Sequence, residues 1–402
     1  MKSNKRTIVF AGSTLYLSLS QYLPIAKNLE ECVRVFLYLK DPASEKFDRS
    51  FLKLATNSKH FDFCFKVDDT KIKFDKGWKA QLKYKKCVLN ILHKINPCGI
   101  IACSDMSLSS RILITYCKSK CIPFFIMQPS FIESGFLHNR KGLLDNFKYF
   151  FVNKILRIPI YRRQNLFGNE DKLTHLILWS KFFNRNPKRR RTYFVGNPAF
   201  DVILRDFSLK RVLKGRIVIC SQVVELYGVD IFHKINKIYD KAIKSFPEKI
   251  FYLKLHPRES FNKYNNIFNK DEHPNLKIIK NKDLYEIFKL CDLQISAFSF
   301  TTFEAAAIGL PVITINPGIK INIVDLFREE IDLRVSSIDN IVDAIEYALS
   351  EEYWEIFVKK REKYFKKVLT YIDDKSGQRA AELIIKILPD LLKKNLKEEL
   401  CQ

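Results

Sequence analysis

Four hydroxyls and one carboxylate fall within nine residues in the segment Ser296-Ala-Phe-Ser299-Phe-Thr301-Thr302-Phe-Glu304. Residues 292 to 295 ahead of it and Ala-Ala-Ala-Ile-Gly309-Leu-Pro311 behind it read as a strand, a Ser/Thr-rich turn and a helix that stops at Gly309. The first-turn N–H groups of such a helix lack intrahelical partners and its dipole favours negative charge, so hydroxyls there suit a phosphate. Glu304, one turn in, is expected to accept ribose hydroxyls. Plain capping fits the same residues, with Ser299 or Thr301 as the cap and Glu304 closing a capping box.

A second group is Tyr252-Leu-Lys254-Leu-His256-Pro257-Arg258-Glu259, which reads as a strand ending in a basic loop. Open parallel sheets bind ligands at the carboxyl ends of their strands. There His256 is placed to donate to a phosphate or lie near a base, Pro257 stops the strand, and Arg258 supplies a planar cation for a phosphate leaving group. An ordinary exposed basic loop is the alternative. Ile217-Val-Ile-Cys220-Ser221-Gln222 carries a third strand into a polar loop without a Gly-rich fingerprint. Ser221 and Gln222 are expected at the same edge, touching phosphate or sugar, or simply closing a turn.

These segments need a scaffold of alternating strands and helices. In the first half, Ile8 to Phe10, Val33 to Leu39, Gly99 to Ala102, Phe124 to Met127 and Leu176 to Leu178 read as buried strands, with helices over Lys79 to Lys94 and Leu108 to Lys118. A second alternation starts near Lys214, with strands at Gly215 to Cys220, Phe251 to Leu255, Leu276 to Ile279, Leu293 to Ser296 and Val312 to Ile315. Helices are expected at Asp230 to Ser245, Leu284 to Leu290 and Thr302 to Ile308. Strand–helix alternation means parallel sheets. The expected domains are 1–205 and 206–375, followed by a helical tail, 376–402, returning to the N-terminal domain and kinked at Pro389.

The bulk composition narrows the class. With 402 residues, 47% hydrophobic and 28% charged, the chain can build two cores. No stretch reaches the roughly 20 uninterrupted apolar residues of a membrane span. The basic N-terminus ahead of Ile8 reads as an approach to strand one rather than as a secretion signal. Ten cysteines occur without a CxxC pair, which favours buried thiols in a reducing cytosol over a zinc site or disulfide scaffold. The formal charge of +25 calls for an anionic partner. Without a zinc finger, basic zipper or RNP-like strand, nucleic acid is disfavoured against an anionic membrane surface.

The series Tyr193-Phe-Val-Gly196-Asn197-Pro198-Ala-Phe-Asp201, the strand into Ser221-Gln222, the His256-Pro257 loop, and Ser299 to Glu304 with Gly309-Leu-Pro311 resembles bacterial surface-polysaccharide glycosyltransferases of GT-B fold. The resemblance is to the polysialyltransferase and capsule-transferase group, good over residues 190 to 315 and in outline before that. It implies an α/β fold of two Rossmann-like domains facing across a cleft. It further implies a metal-independent inverting transfer from a nucleotide sugar, CMP-sialic acid-like, with no cofactor beyond that co-substrate. The nucleotide phosphate would be held by His256, Ser299, Thr301 and Thr302, with Lys254 beside them. The acceptor would be an anionic glycan or lipid-linked, at the inner face of the cytoplasmic membrane. The same pattern resembles nucleotide-sugar 2-epimerases and teichoic-acid glycerophosphotransferases.

An inverting transfer needs a base for the acceptor hydroxyl. Asp105 and Glu133, at expected strand ends, and the nearby His138 are the candidates, although Asp105 also fits a helix cap and Glu133 a solvated position. Gly12, Ser13 and Gln128 are expected to line the cleft from the N-terminal side.

Overall fold

The first strand, β1 (Thr7–Gly12), is buried on both faces, and the strands beside it repeat that pattern. In the computed structural model, residues 5–12, 15–39, 58–67, 77–103, 108–128, 174–184, 189, 191–201, 213–223, 228–256, 259–297, 299–316 and 331–388 are described. They divide into two units, one of residues 1–202 with 368–402 and one of residues 203–367. The chain thus passes between units at 202/203 and 367/368, where the sequence reading placed boundaries at 205/206 and 375/376.

Unit 1 is built on seven parallel strands. After β1 come β2 (Val33–Leu39), β3 (Phe63–Val67), β4 (Gly99–Ala102), β5 (Phe124–Met127), β6 (His175–Leu178) and β7 (Thr192–Phe194), in the order β3-β2-β1-β4-β5-β6-β7. One face carries Ile8, Phe10, Phe36, Tyr38, Phe125 and Met127, covered by α1 (Leu15–Lys27) and α10 (Ser376–Ile387). The other carries Val9, Val35, Leu37, Ile100 and Ile126, covered by α2 (Gly77–Ile95) and α3 (Leu108–Ser119). Alternation of side chains across each strand separates the two cores.

Unit 2 repeats the plan with β8 (Arg216–Cys220), β9 (Ile250–Lys254), β10 (Leu276–Ile279), β11 (Leu293–Ser296), β12 (Val312–Ile315) and β13 (Leu333–Val335). All pair in parallel, in the order β10-β9-β8-β11-β12-β13. Its helices are α4 (Val229–Ser245), α5 (Phe261–Asn265), α6 (Leu284–Phe288), α7 (Phe300–Ala307), α8 (Ile341–Ala348) and α9 (Glu351–Leu369). In both sheets the strand order reverses beside the first strand, which is the doubly wound Rossmann arrangement.

Three strands escaped the sequence reading. β3 holds Lys66 and follows Asp62, β7 follows a basic run, and β13 is three residues long with Arg334 at its centre. Each is an edge or near-edge strand whose membership is decided by its neighbour rather than by its own apolarity. The tail helix α10 ends at Ile387, ahead of Pro389, and the expected kink lies outside the described residues. Asp201 anchors the start of α10: its carboxylate accepts Ser376 N–H at 3.0 Å and Gly377 N–H at 2.6 Å. Burial pushes Asp201 up to about 6, against the lowering effect of those bonds. Among the described residues no helix is long and apolar enough to cross a membrane, and no cluster of His, Cys, Asp and Glu is arranged to hold a metal. Nine described cysteines are free thiols.

Candidate functional site

In unit 2 the reversal of strand order falls between β8 and β11, with β9 on the other side of β8. Register aligns their carboxyl ends: Cys220 pairs with both Ser296 and Lys254. Ser221, His256 and Ser299 therefore follow three adjacent strands at one edge, the place where a doubly wound sheet leaves a crevice.

A residue outside the expected binding set organises this edge. Glu259 is 4% exposed, and its carboxylate gathers four donors. Oε2 accepts the Ser221 hydroxyl and the His256 N–H, the latter at 3.1 Å, while Oε1 accepts the Tyr264 hydroxyl at 2.7 Å and Lys263 Nζ at 3.0 Å. Ser221 Oγ also takes the His256 N–H at 3.0 Å, and Ser221 N–H donates to Lys254 O at 3.0 Å. The ends of β8 and β9 are thus stitched together from beneath. Lys263 lies 4.2 Å from the centre of the Phe232 ring, so its ammonium is held between a carboxylate and an aromatic face. The only trace of this in the sequence was the acid three residues after His256, which a loop of solvated charges would also show.

This network alters the expected roles. The Ser221 hydroxyl is committed to Glu259 and is 5% exposed, so it shapes the loop instead of reaching for a ligand. Lys254 is half-buried, and its Nζ donates to Lys280 O at 2.5 Å. Burial holds its ammonium below the usual lysine range, with Cys220 and Asp283 opposing. Lys280 in turn donates to Glu259 O at 2.5 Å. His256 and Gln222 are both partly exposed at the edge. Pro257 and Arg258 lie outside the described residues.

The hydroxyl-rich turn after β11 resolves into distinct tasks. Ser299 is the N-cap of α7: its Oγ accepts Thr301 N–H at 3.2 Å and the Thr301 hydroxyl at 2.7 Å. With both of those bonds accepted, Ser299 keeps its own proton available to donate. Thr302 Oγ1 lies 2.7 Å from Ser296 Oγ, pinning the first turn to the end of β11. At the far end, Gly309 adopts φ 94° as the residue after the helix, the left-handed position that favours glycine. Arg361 Nε donates to Ala306 O at 2.8 Å, and its Nη2 donates to Ala307 O, supplying a cation where the helix dipole is negative.

Glu304 does not close a capping box. With Ser299 as cap, the box position is Thr302, and Glu304 lies two residues further along. It is 7% exposed and accepts the Tyr285 hydroxyl at 2.8 Å. Burial pushes its carboxyl up to about 7, the Tyr285 bond lowering it and Asp283 raising it.

On unit 1, Gly12 is the last residue of β1. Gln128 corrects the sequence reading. It is fully buried, its Oε1 accepts Trp179 N–H at 3.0 Å, and its carbonyl accepts the Trp179 indole N–H at 3.0 Å. Its side chain fastens the end of β5 to the end of β6. Ser13, Asp105, Glu133 and His138 lie outside the described residues.

No family model and no curated protein matches this sequence. Solved structures do match in fold. A UDP-GlcNAc 2-epimerase from Neisseria meningitidis, solved with UDP-GlcNAc bound, superposes with a TM-score of 0.62 at 13% identity over 95% of this chain and 100% of its own. The Methanocaldococcus jannaschii UDP-GlcNAc 2-epimerase gives 0.63 at 13% identity over 95% and 99%. The fold is GT-B. A structure described as the glycotransferase of kitacinnamycin has a TM-score of 0.59 at 12% identity over 96% and 100%. The GT-B fold thus joins this chain to enzymes of two reaction classes, at identities that speak for the fold alone.

Proposed function

We propose that this chain is a nucleotide-sugar enzyme that binds its nucleotide through unit 2 and acts as a 2-epimerase of a UDP-linked N-acetylhexosamine. The observation that carries the reading is the carboxyl edge of unit 2's sheet, where the Ser299-capped helix start follows β11 and the loop that Glu259 and Ser221 hold at His256 follows the adjacent β8 and β9. A helix N-terminus, the Ser299 hydroxyl and the His256 imidazole follow neighbouring strands at that edge, a set suited to a diphosphate. Support for the epimerase class comes from GT-B neighbours described as UDP-GlcNAc 2-epimerases, matched along nearly their whole length. Glycosyl transfer is the second reading, favoured by the net charge of +25, which suits an anionic acceptor.

The test starts with nucleotide. A ligand that binds only the folded state stabilises it by about 2.7 kcal/mol at 100 times its Kd. UDP or UDP-GlcNAc is expected to raise the melting temperature, and His256→Ala to abolish the shift without unfolding the protein. Incubation with UDP-GlcNAc alone, followed by NMR, then separates the classes. A C2 epimer still linked to UDP supports epimerisation, whereas UDP released only after acceptor is added supports transfer. A melting temperature unmoved by UDP, CDP and CMP alike overturns the nucleotide reading.

A further inference from the structure

The basic character of the chain is not shared between its units. Unit 1 holds 42 Lys and Arg against 21 Asp and Glu, and unit 2 holds 27 against 23, so unit 1 carries +21 of the +25. The candidate nucleotide site lies in the nearly neutral unit. Attraction of a nucleotide therefore leaves most of this charge unexplained.

Within unit 1 a lysine-bearing helix covers the sheet face on which two exposed aromatic rings lie. β3 is an edge strand of the sheet. Its Phe63 is 56% and its Phe65 40% exposed. Register pairs Phe63 with Val35, Phe65 with Leu37 and Val67 with Leu39. Val35, Leu37, Leu39 and Val67 all belong to the core beneath α2, so the two rings lie on the sheet face that α2 covers. α2 carries five lysines and no acid. Tyr84, Val88 and Leu92 turn inward, while Lys83, Lys86, Asn90, His93 and Lys94 form the exposed stripe. An apolar pair on the face covered by a helix whose exposed stripe holds lysines and no acid is the pattern of an interfacial membrane contact: the rings enter the acyl boundary and the ammoniums meet anionic headgroups.

We propose that the β3 edge with the outer face of α2 docks unit 1 onto a bilayer rich in anionic phospholipid. A soluble polyanion would satisfy the lysines but offer no apolar phase to Phe63 and Phe65. A second copy of this surface would bring two cationic faces together, which like-charge repulsion opposes. The docking concerns unit 1 and stands apart from the nucleotide reading.

The experiment is co-sedimentation of the full chain, without nucleotide, with vesicles of phosphatidylcholine alone and of phosphatidylcholine with 30–40% phosphatidylglycerol (about that fraction keeps the surface strongly anionic). Binding is expected to the mixed vesicles at about 0.1 M salt, with release near 1 M. Lys83→Gln with Lys86→Gln lowers the partition coefficient by about 25-fold, at about 5-fold for each lysine near the surface. Phe63→Ser with Phe65→Ser lowers it by at least about 10-fold. The lysine pair lies on an exposed helix face, so that variant keeps its melting temperature and the test survives even if the phenylalanine variant does not fold. Equal binding to both vesicle types, no binding to either, unchanged binding by the lysine variant, or dimerisation in solution abolished by the same substitutions would overturn the proposal.

Discussion

Removing the Glu259 carboxylate is expected to dismantle the loop that carries His256 while leaving the sheet in place. Four donors converge on two oxygens that are almost completely buried. Glu259→Ala leaves the Tyr264 and Ser221 hydroxyls to find new acceptors, and strips Lys263 of its anion. Breaking such a pair from one side costs about 3 to 5 kcal/mol. For a unit of this size, that lowers the melting temperature by about 10 °C. Glu259→Gln is the sharper probe. An amide keeps one acceptor oxygen but presents N–H groups at the other, facing either the Ser221 hydroxyl and His256 N–H or the Tyr264 hydroxyl and Lys263. The expected loss is about 2 kcal/mol of stability. UDP affinity in the folded variant is expected to fall by at least about tenfold, since small misplacements of binding groups are costly. Glu286→Gln, an exposed carboxylate paired with Lys289 at 2.9 Å, is the matched control and should be nearly silent. Thermal melts with UDP titration on the three variants decide the matter. A Glu259→Gln protein with the melting temperature and UDP affinity of the unchanged chain would show that the loop does not depend on this carboxylate.

Two further outcomes follow from buried groups. Glu304, held up to about 7 against 4.5, keeps its proton more tightly folded than unfolded. Its contribution is therefore complete below about pH 4.5 and lost as pH rises through about 7, a span worth about 3 kcal/mol. The melting temperature of the unchanged chain should fall relative to Glu304→Gln between pH 5 and 8, and parallel curves would refute the burial argument. At Gly377 a Cβ would lie 2.7 Å from Pro24 Cβ and 2.8 Å from its backbone C and O, where α10 crosses α1. Gly377→Ala should cost about 1 to 3 kcal/mol, read as loss of α10 protection in hydrogen exchange.

Much of the scaffold was legible because buried parallel strands announce themselves. Gly99–Ala102, Leu276–Ile279, Leu293–Ser296 and Val312–Ile315 are short β-rich runs bounded by turn residues, and the structure forms strands over those residues. Gly309 signalled the end of α7 for a local reason, the positive φ that only glycine adopts without strain. The sequence also determined the hydroxyl-rich turn between β11 and α7, since composition and the flanking elements suffice to put it at a strand's carboxyl end.

What each polar side chain does there is a property of tertiary structure. Ser221 reads as touching a ligand or closing a turn and Gln128 as lining a cleft, and the structure gives one to Glu259 and the other to Trp179, partners 38 and 51 residues away. Glu304 reads as a ribose acceptor or as the end of a capping box, but the choice of Ser299 as N-cap puts Thr302 at the box position and leaves the Glu304 carboxylate to Tyr285, on α6. Glu259 read as one more charge in a basic loop and became the hub of the edge. A hydrogen bond across many residues leaves no periodic trace in a sequence, because it depends on which strands become neighbours and in what register. Residue order along the chain decided the elements, and strand order in the sheet decided the site.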